Sequence, residues 1–395
     1  MAALDRAALP LLAPSAAPLS SLSEAERLAR LRLARSHNVG PRTFAHLVSR
    51  FRTAEAALEA LPALARRGGS SEYTAVSLEA AEAEAEAAAT RGIRLVILGD
   101  PDYPALLGRI DTPPPVLMVR GRMEVFARSG VALVGARNAS ALGLRTARRL
   151  AADLGAMGHV IVSGLARGID ASAHEVSLES GTVAVLAGGL DRLYPPENTG
   201  LAERIAETGA LVTECALGVE PTGRHFPKRN RLIAGLSLGV VLVEAAMRSG
   251  SLITARYALD QGREVMAVPG APEDPRASGC NAFIRDGAAL IRNAEDVREV
   301  LYQVRAAPES GPPGLAEAGA PFQHAPAETA SLWDDGGMAW QAGDTGCTAD
   351  ADLTERVAGL LSPSPVDLDE LARASGARPT DLSLALLELD LAGRI

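Results

Sequence analysis

Residues 223–237 read GRHFPKRNRLIAGLS and set Arg224, His225, Lys228, Arg229 and Arg231 around one aromatic, Phe226. Cations beside an aromatic ring are what a phosphate backbone with stackable bases calls for. The plain alternative is a solvated loop leading into a helix. The 395 residues carry a formal net charge of −9, so the cationic run stands against an acidic background. Any nucleic-acid site must therefore be a local patch. A second group has the spacing for acid–base work: Asp170 and His174 are four apart and share a helix face, with Ser163 nearby in sequence. A Ser–His–Asp relay is one reading. An acid at a helix N-terminus and a packed histidine account for the same spacing more simply. Glu214 and Glu244 each end an apolar run, as general bases or as carboxylates that orient Arg229 or Arg231. Asp191 and Tyr194, in GGLDRLYPPEN, read as residues that fix a loop.

These residues punctuate a regular alternation. Apolar runs at 131–135, 160–163, 182–187, 210–213, 240–244 and 264–268 are continuous, with helical period between them. Continuous runs are the mark of parallel strands buried on both faces, so the fold class is α/β: an extended, Rossmann-like, doubly wound and mostly parallel sheet. Ligands of such sheets bind beyond the carboxyl ends of the strands. There the chain places GARNAS at 135–140, SGLARGID at 163–170 and RSGS at 248–251, small residues and an Arg ahead of a helix. Helix N-termini with glycines suit phosphate. The first turn is not a dinucleotide fingerprint, because Arg137 stands where GxGxxG places its second Gly, and a guanidinium there can grip one phosphate. Ser163 ends the second run where a ribose-binding acid belongs. A Walker lysine pattern is missing too, and no cofactor is expected.

Three cysteines lie far apart and never form CxxC, which argues against a disulfide framework or a structural zinc and fits a reducing cytoplasm. No apolar run is long enough to span a bilayer, and the start lacks a signal-peptide pattern. Composition divides the chain into a disordered leader (1–20), a helical domain (21–90), the sheet domain (91–304), a Pro/Gly/Ala-rich flexible linker (305–350) and a C-terminal helical domain (351–395). In the first helical domain two short helices meet at Asn38-Val39-Gly40-Pro41, similar to a helix-hairpin-helix or sterile-alpha-motif unit. In the last, three short helices with a tight turn are similar to a winged helix.

Six stretches, in order over roughly residues 93–300, resemble the DNA-processing protein A (DprA/Smf) family: VGARNASALG, SGLARGIDASAHEVSL, GTVAVLAGGLDRLYPPEN, FPKRNRLIAGLS, VVLVEAAMRSGSLITARYALDQGREVMAVPG and GCNAFIRDGA. The resemblance implies a Rossmann-like sheet and a non-catalytic role: a homodimer that binds single-stranded DNA and loads the RecA recombinase in natural transformation. It implies a DNA pocket of Arg137, Ser163, Gly164, Arg167, Gly168, Phe226, Lys228, Arg229, Asn230, Arg231, Ser249, Gly250 and Ser251. In that pocket Phe226 would stack a base, worth roughly 1–3 kcal/mol. Phe283, Ile284, Leu290 and Ile291 are candidates for the dimer contact, with packing in the core as the plainer alternative. The tail departs from the family pattern: it stops at Gly393-Arg394-Ile395, so the wing is absent or very short. Asp367, Asp369, Glu370, Asp381, Glu388 and Asp390 make it acidic, which favours protein contact or a regulatory role over DNA. A competing reading, a nucleotide hydrolase of the lysine-decarboxylase-like phosphoribohydrolase type, requires PGGxGTxxE. The nearest stretches, AGGLDRLYPPE and EAAMRSGSLITA, lack it.

Overall fold

The computed structural model of the protein describes residues 22–70, 72–306, 351–361 and 366–395. Four helices come first: α1 (Glu24–Arg35), α2 (Pro41–Phe51), α3 (Ala54–Arg67) and α4 (Leu78–Thr90). Ser23, Thr53 and Ser77 cap α1, α3 and α4, each accepting the N–H three residues on. Pro41 opens α2, where its missing N–H costs nothing.

The sheet domain follows as β1 (Ile93–Ile97), β2 (Val116–Gly121), β3 (Gly130–Gly135), α5 (Ala141–Ala156), β4 (Val160–Ser163), α6 (Ile169–Val176), β5 (Thr182–Val185), α7 (Thr199–Thr208), β6 (Ala210–Thr213), α8 (His225–Gly235), β7 (Gly239–Val243), α9 (Ser251–Asp260), β8 (Glu264–Ala267), α10 (Ser278–Arg285), β9 (Ala289–Leu290) and α11 (Ala294–Ala306). Three further helices are α12 (Ala351–Leu360), α13 (Leu368–Ser375) and α14 (Pro379–Leu391).

The nine strands make one sheet in the order β1-β2-β6-β5-β4-β3-β7-β8-β9. The β1–β2 and β2–β6 pairs are antiparallel and every other pair is parallel. Both faces are covered. In β3, Val131 and Leu133 pack with Leu150 of α5 and Val297 of α11. Ala132 and Val134 point the other way, into a core shared with Leu232 of α8 and Ala255 of α9. Strands with two buried faces have no polar side to alternate with, which is why they read as unbroken apolar runs.

The doubly wound, mostly parallel sheet expected from the sequence is the one found. β9 is an addition, too short for any periodicity to reveal. α11 runs to Ala306, two residues past 304; the expected leader, and the linker beyond 306, lie outside the described residues. The described part of 351–395 holds three helices and no strand. α14 rests on α3 and lends Leu384, Leu387 and Leu391 to the core of the N-terminal helices. Among the described residues no helix is long and apolar enough to cross a membrane.

Candidate nucleic-acid interface

Strand order switches at β3, which lies between β4 and β7, and the crevice over such a point is where open α/β sheets receive ligands. The β3–α5 turn brings Arg137 there and the β4–α6 turn brings Gly164 to Gly168. α8 begins at His225, so its first turn delivers Phe226 to the same place.

The Arg137 guanidinium lies 5.3 Å from the centre of the Phe226 ring. Tyr194 meets that ring edge-on, with centroids 5.7 Å apart and planes at 65°. With Gly164, Ala166, Arg167 and Pro195 these three residues line a shallow cleft. Arg137 is exposed and has no ion pair among the described residues. Arg167 is exposed and pairs with Glu197 at 3.4 Å. Such a surface pair is worth little and exchanges readily for a phosphate.

A buried cation holds the floor. Arg229 Nη1 donates to the carbonyls of Gly164 and Val185, each at 2.6 Å, and Nε donates to Asn230 Oδ1 at 3.2 Å. Asp170 Oδ2 accepts the N–H groups of Gly164 at 3.1 Å and Ala166 at 3.4 Å. Fit over this cation is close, since a Cβ on Gly164 would fall 2.5 Å from Arg229 Nη1. Burial pushes the Asp170 carboxyl up and the Arg229 guanidinium down to about 10, which leaves the latter protonated at neutral pH. Gly168 has φ +78°, and a Cβ there would lie 2.3 Å from the Ala136 carbonyl oxygen. Only glycine lets the β4–α6 turn rest on the β3–α5 turn.

The structure thus assembles Arg137, Gly164, Arg167 and Phe226 into one cleft, with Gly168 at the seam beneath it. Other residues expected in the pocket turn inward. Ser163 is fully buried, its Oγ donating to the Leu133 carbonyl at 2.6 Å. Arg229 is committed to the carbonyls just described. Asn230 donates to the Gly250 carbonyl at 3.2 Å and so ties the 248–251 turn to α8. Arg231 donates to the Thr112 carbonyl at 2.6 Å and pairs with Glu214, whose carboxyl burial pushes up. These four side chains are thus engaged within the fold. Lys228 is exposed and without an ion pair among the described residues. In the β7–α9 turn Gly250 is exposed, and the Ser249 and Ser251 hydroxyls share a hydrogen bond at 2.7 Å.

The relay reading of Ser163, Asp170 and His174 does not assemble. His174 is wholly buried, with Nδ1 2.7 Å from Thr182 Oγ1, and burial drives its pKa down to about 3. Glu214 orients Arg231, one of its two expected uses. Glu244 does neither of the things its place in sequence offered. Its carboxylate accepts the Ser140 N–H at 2.8 Å and the Ser140 hydroxyl, at the N-terminus of α5. The protein's own carboxylate thereby stands at the helix end where a Rossmann fold seats a dinucleotide pyrophosphate. Sequence reasoning gave Tyr194 to the loop and missed it as a wall of the cleft; the available signal was an aromatic following β5 at the ligand-binding end of the sheet. Among the described residues no three His, Cys, Asp or Glu side chains gather as a metal site.

Three regions of the chain match known families. The family described as DNA recombination-mediator protein A matches residues 94–302, the DprA-like N-terminal HHH domain matches 24–87, and the DprA winged helix domain matches 345–395. DNA processing protein DprA of Bacillus subtilis is 42% identical over 214 residues, covering 53% of this chain and 72% of its own. Protein Smf of Synechocystis is 35% identical over 312 residues, covering 75% of this chain and 76% of its own. The X-ray structure of DNA processing protein A from Streptococcus pneumoniae superposes with a TM-score of 0.59 at 31% identity, over 71% of this chain and 98% of that one. With its three successive regions matched in order and its strand-end turns built as described, this chain belongs to the DprA/Smf family of DNA-processing proteins.

Proposed function

We propose that this protein binds single-stranded DNA at the Arg137–Phe226 cleft and hands the strand to the RecA recombinase in natural transformation, as a cytoplasmic homodimer and without catalysing a reaction. One observation carries the reading: two aromatic rings, Phe226 and Tyr194, line one cleft together with the exposed guanidiniums of Arg137 and Arg167. Every base has a π-face, so an unpaired base can lie against these rings whatever its identity, while the guanidiniums neutralise the phosphates beside it. A base stacked within a duplex has no free face to offer. Lys228 and the Ser249–Ser251 turn extend the contact along the backbone.

Family membership supports the DNA-processing role, and the hand-over to RecA and the dimer are read from the same likeness. For the dimer, Leu290 is exposed on the edge strand β9, while Phe283 and Ile284 on α10 are half-buried and pack against the core. Ile291 is fully buried in the core and takes no part. A hydrolase reading would need a free carboxylate at a strand end, and Glu214 and Glu244 are engaged by Arg231 and Ser140.

The test is a titration of single- and double-stranded oligonucleotides at two salt concentrations. Expected are preference for the single strand, affinity that falls with salt, and a marked loss in Arg137→Ala. Equal binding of both forms, or wild-type affinity in Arg137→Ala together with Lys228→Ala, would sink the reading.

A further inference from the structure

α14 has two apolar sides. Leu382, Ala385 and Leu389 pack within their own unit against Val357 and Leu371. Leu384, Leu387 and Leu391 pack instead with Phe44, Leu47 and Leu61 of the N-terminal helices. In a three-helix DNA reader the last helix is the one that enters the major groove. Here the outward side of that helix is already covered.

The contact is specified in detail. Glu388 is wholly buried and accepts Arg67 Nε at 2.6 Å from the N-terminal side and Thr354 Oγ1 at 2.9 Å from its own. Thr43 Oγ1 donates to Asp390 at 2.5 Å, and Asn38 Nδ2 donates to the Leu391 carbonyl at 3.2 Å. Polar pairs of this kind fix the register of an otherwise greasy seam. Gly68 shows how close the approach is. Its φ of −71° suits any residue, so the backbone does not require glycine. The neighbour does: a Cβ there would fall 1.8 Å from the Glu388 carbonyl oxygen. Asn38 belongs to the turn joining α1 and α2, the place where a helical hairpin would present N–H groups to a phosphate. The end of α14 is seated against it, and a Cβ on Gly393 would lie 3.0 Å from Asn38 Nδ2.

We propose that the C-terminal unit takes the N-terminal helical domain as its fixed partner, making one closed helical body from the two ends of the chain, and that α14 is a protein-docking helix which does not read DNA. Glu388 and Asp390 on α14 fit this use, since acidic side chains repel phosphate and complement donors such as Arg67 and Thr43. The cleft over the sheet binds its strand independently of this seam.

Native-state hydrogen exchange on the full chain tests the idea without a substitution. Under increasing mild denaturant the amides of α2, α3 and α14 should open in one shared step, separate from β3, β4 and β7. Gly68→Ala then places a wedge in the seam. Exchange in α2, α3 and α14 should rise together by about tenfold or more, with affinity for single-stranded and duplex oligonucleotides unchanged. Opening of α14 alone, while α2 and α3 stay protected, would overturn the shared body. A gain in duplex affinity in Gly68→Ala would overturn the docking role and make α14 a covered DNA reader.

Discussion

The Arg137 guanidinium stacks on the Phe226 ring, 5.3 Å from its centre, although one residue leaves β3 and the other opens α8. This contact sets the cation over the aromatic ring. Removing the ring should therefore cost twice, once in base stacking and once in the placement of Arg137. Phe226→Ala is expected to weaken single-strand affinity by roughly 1–3 kcal/mol, about five- to 150-fold. The Phe226→Ala and Arg137→Ala losses should combine to less than their sum, because the two side chains share a contact. Fluorescence anisotropy across the four proteins of the cycle measures this. Strict additivity would assign the two residues to separate sites.

Arg229 and Asp170, both buried beneath the cleft, predict a loss of a different kind. Arg229→Met leaves the Asp170 carboxylate buried without its cation and the Gly164 and Val185 carbonyls without a donor. Leaving a buried acceptor unsatisfied costs about 1–3 kcal/mol. Chemical denaturation should show a stability drop of that order, and adding Asp170→Asn should recover part of it. Full wild-type stability in Arg229→Met would mean that the floor of the cleft is held by something else.

Arg229 also marks where sequence stops being informative. The sheet was legible because strands buried on both faces leave unbroken apolar runs, and the strand-end turns were legible from their glycines. Within FPKRNR the sequence supplied cations but not their directions. On a helix each residue turns about 100° from the last, so Lys228, Arg229 and Arg231 diverge: one to solvent, one under Gly164, one to Thr112 and Glu214. Which one turns inward depends on the carbonyls of Gly164 and Val185, far off in the chain. Glu244 at Ser140, Gly68 under Glu388 and Tyr194 beside Phe226 were hidden for the same reason, since each makes sense only with its distant neighbour in place.

His174 predicts the acid side of the stability curve. Burial lowers its pKa from 6.5 to about 3. Between those values the unfolded chain takes a proton that the native state refuses, so stability falls as pH drops through this window and is regained as pH rises. The slope is at most one proton, about 1.4 kcal/mol per pH unit. Asp170 runs the opposite way, because burial raises its carboxyl and the native state keeps a proton that the unfolded chain releases. The informative quantity is therefore the difference between wild type and His174→Gln in urea titrations at pH 7, 6 and 5. The variant should lose the His174 share of the slope, and parallel curves would show that the imidazole titrates normally in the folded protein.

Lys228 and Arg231, three apart on α8, should separate cleanly by salt. Lys228 is exposed, and its ammonium is available to a phosphate. Lys228→Ala should weaken single-strand binding across all sequences and flatten the dependence of log affinity on log salt by about 0.7, the release of one counterion from a single strand. Arg231 is half-buried and already spent on Glu214 and the Thr112 carbonyl. Arg231→Ala strands a buried carboxylate and an acceptor, so it should lower stability by about 1–3 kcal/mol. The salt dependence of the protein that remains folded should not change. Measuring affinity at several salt concentrations, below the thermal transition of each variant, distinguishes a cation that meets the strand from one that props the helix. A flattened slope in Arg231→Ala would bring its guanidinium into the DNA contact after all, and an unchanged slope in Lys228→Ala would remove Lys228 from it.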